Sequence, residues 1–90
     1  MNIGPEQLVI VNERGLHARA AAKFVKTAEQ FEAELTVSKG DLEVSGRSIM
    51  GLMMLAAAKG SSIGVTADGE EAEAAMSAIR DLVGNAFGEE

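Results

Sequence analysis

Along this 90-residue chain the apolar residues switch repeatedly between a spacing suited to sheets and one suited to helices. The order of those switches restricts the fold more than any other feature. Gln7 to Val11 is a short apolar, β-branched run bounded by Asn12 and Gly15, which reads as a buried strand. From Ala18 to Gln30 the positions Ala21, Phe24, Val25 and Ala28, continuing to Phe31, mark one helix face, with Lys23, Lys26 and Glu29 elsewhere on the surface. Ala33, Leu35 and Val37 alternate with polar residues. After Lys39-Gly40, Leu42 and Val44 do the same, which predicts a hairpin with one wet face. Ser48 opens a short apolar segment, Ile49 to Leu55, read as a two-turn helix capped by that serine. Ile63, Val65 and Ala67 form a fourth strand. The last helix presents Ala72, Ala75, Met76, Ile79, Leu82 and Val83, carries Glu70, Glu71 and Glu73 in its first turns, and stops at Gly84.

The resulting order is βαββαβα, an α+β fold. Alternation confined to one face of each strand implies an antiparallel sheet with helices on one side and water on the other. The pattern leaves open whether the strands are wound in ferredoxin-like order or otherwise.

A chain of this length supports one core, so residues 1–90 are expected to form one domain. Much of the apolar content is alanine, and three Phe with no Trp or Tyr provide few large anchors. The absence of cysteine excludes disulfides and thiolate metal sites, and a single histidine argues against any metal centre. No secretion signal opens the chain, and no run approaches the ~20 apolar residues of a membrane span. The expectation is a cytoplasmic monomer with neither membrane nor cofactor. A net charge of −6 argues against nucleic acid as the partner. The charge is nonetheless polarised: four of the eight Lys and Arg, namely Arg14, Arg19, Lys23 and Lys26, fall within thirteen residues around the one histidine.

That histidine lies in Gly15-Leu16-His17-Ala18-Arg19, where a turn becomes a helix. The first backbone N–H groups of a helix lack intrahelical partners. At Ala18, Arg19 and Ala20 they would join the helix dipole and the Arg19 guanidinium in holding an anion beside His17. An imidazole, with an ordinary pKa of about 6.5, is largely neutral and nucleophilic near pH 7. Phosphoryl transfer depends mainly on positioning and charge stabilisation, so these groups suffice without a metal. Spacing alone also admits a plainer reading, with His17 an N-cap and Arg19 a surface residue.

Asn12-Glu13-Arg14-Gly15-Leu16-His17-Ala18-Arg19-Ala20-Ala21 closely resembles the active-site segment of the HPr family of phosphocarriers and its nitrogen-branch paralogues. Ser48-Ile49-Met50-Gly51-Leu52-Met53, followed by Ala58-Lys59-Gly60, resembles the family's regulatory-serine helix, and Ser48 lies 31 positions after His17, as in the family. The resemblance implies an open-faced β-sandwich, a four-stranded antiparallel sheet with three helices on one face. It also implies phosphorylation of His17 at Nδ1 by enzyme I of the phosphoenolpyruvate-dependent phosphotransferase system, and delivery to an enzyme IIA domain. The chain would be a covalent intermediate in a relay rather than an independent enzyme. One departure is Ala20, where the family usually has proline; alanine adds an amide donor and loosens the first helical turn.

Ser48 reads as an N-cap and also as a site for an HPr kinase/phosphorylase. Ile49, Met50 and Met53 read either as core, the commoner fate of a methionine stripe, or as an adaptable partner-docking patch, and the resemblance favours docking, with Leu52 and Leu55 better placed to point inward. Arg47 is expected to join Arg19, Lys23 and Lys26 in a basic rim around that patch. From other classes, a small ligand-binding regulatory domain is the chief alternative; an RNA-binding sheet lacks the exposed aromatics and basic face it needs.

Overall fold

A computed structural model of the protein describes residues 1–89. The elements are β1 (Asn2–Val9), α1 (Ala18–Ala28), β2 (Glu34–Lys39), β3 (Leu42–Ser45), α2 (Ile49–Met54), β4 (Ser62–Asp68) and α3 (Ala72–Gly84), followed by a short 3₁₀ turn at Ala86–Gly88. The βαββαβα order is therefore as read from the spacing.

The four strands form one antiparallel sheet in the order β1-β4-β2-β3. The β2–β3 hairpin turns at Gly40, pairing Lys39 with Leu42 and Val37 with Val44. Of the two central strands, β4 and β2, β4 is the more thoroughly buried: Ile63, Val65 and Ala67 have no exposed surface. They meet Leu35 and Val37 of β2 and the apolar faces of the helices in one continuous core. Helix α1 contributes Ala20, Ala21, Phe24, Val25 and Ala28, and α3 contributes Ala72, Ala75, Met76, Ile79 and Val83. The small alanine side chains let the helices lie close to the sheet, while Phe24 fills the space between them.

Three details differ from the spacing-based expectations. The first strand begins earlier and ends earlier than Gln7 to Val11, because its register with β4 resumes at Glu6 after an irregularity at Ile3/Glu6, and the chain leaves the sheet after Val9. Leu82 is only partly buried, since the α3 face that meets the core is narrower than the apolar stripe. Helix α3 ends at Gly84 as expected, but the reversal beyond it was not foreseen. The reversal comes after Asn85, where Ala86 and Phe87 both adopt φ 55° and turn the Phe87 ring into the core. Burying that ring contributes up to ~3 kcal/mol, enough to hold the segment that follows it against α1.

The acidic start of α3 also has a second role. Glu73 lies in the first turn, as the dipole favours. Glu71 instead accepts the Glu32 backbone N–H at 2.7 Å, tying the loop after α1 to the start of α3.

Candidate functional site

The turn from Asn12 to His17 is held from below by the loop that follows α2. Gly15 has φ +67° and sits so close to that loop that a Cβ would lie 2.5 Å from the Ala57 carbonyl oxygen. Only glycine satisfies both the conformation and the approach. Leu16 is buried and donates its N–H to the same carbonyl at 2.9 Å. Ala56, also at positive φ, follows the C-cap of α2 and lines a shallow depression with Arg14, Leu16, His17, Ala57 and Ala58. An exposed ion pair between Lys59 and Glu13 spans the two loops and holds the Glu13 carboxyl below its ordinary pKa.

His17 is the N-cap residue of α1, but its side chain makes no capping bond. The imidazole is thereby available for other contacts. The first helical hydrogen bond runs from the Ala21 N–H to the His17 carbonyl at 2.8 Å. Among the described residues, the amides of Ala18, Arg19 and Ala20 have no acceptor, and Arg19 is exposed with no ion pair. Helix-start donors without a partner among the described residues and the helix dipole therefore lie beside one partly exposed imidazole, with the exposed Arg19 two residues on, an arrangement that favours an anion.

Three neighbours of His17 were not anticipated. Asn12 is buried, with its Nδ2 donating to the Gly15 carbonyl at 2.7 Å and to Glu89 Oε1 at 3.0 Å. Glu89 Oε2 contacts His17 Nε2 at 2.5 Å. Phe87, by its burial, brings Glu89 to this position, and Lys23 Nζ donates to the Phe87 carbonyl at 2.6 Å. In the sequence Asn12 and Gly15 read as the bounds of the first strand, a local turn signal, but not as support for His17. Nothing in the spacing could link Glu89 to a histidine 72 positions away.

Of the expected docking residues, Lys23 and Lys26 lie on the same side of α1 as Arg19, at helical spacing, although Lys23 is engaged by Phe87. Arg47 does not join them. Its guanidinium lies 3.4 Å from the carbonyls of Phe31 and Ala33, beyond the far end of α1 and roughly 15 Å along the axis from Arg19. These contacts to the loop between α1 and β2 hold it away from the rim. Ser48 accepts the Gly51 N–H at 2.9 Å and so caps α2. Leu52 is fully buried and Leu55 nearly so, while Ile49, Met50 and Met53 are exposed as expected, joined by Met54, which the sequence reading had not singled out.

The whole chain is also similar to known proteins. Residues 5–85 match the model of the PTS-HPr family, described as the PTS HPr component phosphorylation site. Phosphocarrier protein HPr of Neisseria meningitidis serogroup A is 52% identical over 84 residues, which cover 93% of this chain and 94% of that protein. Phosphocarrier protein NPr of Shewanella violacea is 42% identical, covering 92% and 91%. The crystal structure of HPr-C-His from Thermoanaerobacter tengcongensis superposes with a TM-score of 0.89 at 39% identity, covering 100% of this chain and 98% of that one. An open antiparallel sheet carrying three helices and a partly exposed histidine at a helix start, with these relatives, defines a phosphocarrier of the phosphotransferase system. The chain belongs to the HPr family.

No helix among the described residues is long and apolar enough to cross a membrane, and those residues contain no cluster of acidic, Cys or His side chains able to hold a metal ion.

Proposed function

We propose that His17 is the carrier residue: its Nδ1 takes a phosphoryl group from phospho-enzyme I and passes it to a histidine of an enzyme IIA domain. The observation that carries this reading is a partly exposed, non-capping imidazole at the start of α1, followed by three helix-start amides that have no partner among the described residues. In the transfer, the Nδ1 lone pair forms the new N–P bond as the donor's P–N bond breaks and its electron pair returns to the donor ring. Negative charge on the equatorial oxygens is met by Arg19 and by the amides of Ala18, Arg19 and Ala20. The acceptor reverses these steps, so the protein needs no base or metal of its own and serves as a single-domain cytoplasmic monomer in a relay.

The exposed Ile49, Met50 and Met53 supply an apolar docking patch beside the site, because α2 runs directly into the loop that supports His17. Lys23 and Lys26 extend it with positive charge for an acidic partner rim. Ser48, at the start of α2, is the position where a kinase would regulate docking. HPr and NPr both occur among the relatives, and the same histidine chemistry serves sugar uptake or nitrogen-linked regulation.

Incubation with enzyme I and radiolabelled phosphoenolpyruvate tests the assignment. Wild type takes up an acid-labile, base-stable label, and His17→Ala takes up none. Label retained by His17→Ala would place the carrier site elsewhere.

A further inference from the structure

Glu89 is placed with more care than a surface carboxylate requires. Its side chain is 18% exposed and the His17 side chain 17%. One carboxylate oxygen meets His17 Nε2 at 2.5 Å, and the other takes the Asn12 amide at 3.0 Å. Asn12 is itself fixed, being buried and bonded to the Gly15 carbonyl of the turn that carries the histidine. The segment is anchored a second time by the fully buried Phe87 ring and the bond from Lys23 to the Phe87 carbonyl. Two independent restraints thus aim one carboxylate at one ring nitrogen.

We propose that Glu89 is a positioning residue for phosphoryl transfer, holding the His17 ring with its Nε2 protonated and its Nδ1 lone pair free to attack. An ionised carboxylate has no proton to give, so the hydrogen in the contact belongs to Nε2. A neutral imidazole carries one proton, and keeping it on Nε2 leaves Nδ1 as the nucleophile. The contact also fixes the ring about its side-chain bonds, the role an orienting carboxylate plays for a catalytic histidine. When Nδ1 takes the phosphoryl group and Nε2 keeps its proton, the ring becomes cationic. The Glu89 charge beside Nε2–H then stabilises the phosphorylated form. Asn12 acts one step further out, holding the carboxylate in line.

This inference rests on the carrier role of His17, and one experiment separates the two. The Nε2–H proton of His17 is followed by nitrogen-edited NMR in unphosphorylated wild type, Glu89→Ala and Glu89→Gln, and transfer from phospho-enzyme I is timed for each. The wild type shows a slowly exchanging Nε2–H signal. Glu89→Ala loses that signal, raises the fraction of ring protonated on Nδ1 severalfold, and accepts phosphate about threefold to tenfold more slowly, the effect of removing one charge-assisted hydrogen bond at a partly exposed site. Glu89→Gln, which can still accept from Nε2–H but brings no charge, falls between. A Glu89→Ala variant that changes the ring signal without the rate, or the rate without the signal, overturns the positioning role. Faster transfer in that variant overturns it too, by making the carboxylate a plug over the site. A wild type that takes no phosphate overturns the carrier role and this inference together, whereas normal uptake by an indifferent Glu89→Ala removes the inference alone.

Discussion

Leu16 donates its backbone N–H to the Ala57 carbonyl at 2.9 Å, so the turn that carries His17 is fastened to the end of α2. Helix α2 and the turn that carries His17 are therefore tied to one another through the Ala57 loop. Under the proposed carrier role, a partner seated on α2 would find the imidazole at a fixed distance, as a short-lived transfer complex requires.

Gly15 is the point where this fastening is least forgiving. Gly15→Ala must hold a Cβ at φ +67° against the Ala57 carbonyl, so the turn has to shift. The expected loss is about 1–3 kcal/mol of stability, together with slower transfer as His17 leaves its place. Thermal unfolding and a phosphorylation time course check both, and an unchanged melting temperature would contradict the close approach.

The Glu89 carboxyl is held below its ordinary value of 4.5, first by the His17 hydrogen bond and then by that from Asn12. A carboxyl whose pKa is lower folded than unfolded contributes stability that is present above the unfolded value and lost as pH falls through the folded one. Anchoring of residues 85–89 on His17 is therefore intact at neutral pH and released on acidification below 4.5. A carbon-detected NMR titration of Glu89 should give a midpoint below 4.5 in wild type and a higher one in His17→Ala. Equal midpoints would show that the contact does not hold the carboxylate.

Met50 is 74% exposed, the most open of the apolar residues on α2. Met50→Glu is expected to change stability by less than about 0.5 kcal/mol, as surface substitutions do, while weakening docking on enzyme I and slowing transfer. Circular dichroism with transfer kinetics separates the effects, and a collapsed spectrum would make Met50 a packing residue.

Ser48→Ala removes the acceptor for the Gly51 N–H and should cost about 1 kcal/mol with transfer nearly unchanged. Ser48→Asp keeps a good cap and adds charge at the edge of the docking helix, so it should melt within a few degrees of wild type while accepting phosphate more slowly. An aspartate variant as fast as wild type would reduce the serine to its cap.

Most of the scaffold was legible because each element carries a local signal. Phe24 with Val25 and Ala28 marks a helix face, Ile63 with Val65 and Ala67 a strand, and Ser48 a cap, all through residues within a few positions of one another. The histidine at the start of α1 was visible for the same reason. What the sequence concealed depends on distant contacts. Phe87 follows a glycine that reads as a stop, and its burial arises from two successive left-handed residues that carry no glycine signature. Glu89 reaches His17 only because of that turn. Arg47 is adjacent to Ser48 in sequence, yet its side chain reaches the Phe31 and Ala33 carbonyls in the loop after α1, at the opposite end of the helix from Arg19.

The central claim is tested most directly by locating the phosphorus. After phosphorylation with enzyme I and phosphoenolpyruvate, nitrogen- and phosphorus-detected NMR of the uniformly labelled protein should show one phosphoramidate, with phosphorus coupled to Nδ1 of His17 and a proton retained on Nε2. Phosphorus coupled to Nε2, or found on any other residue, would contradict the account.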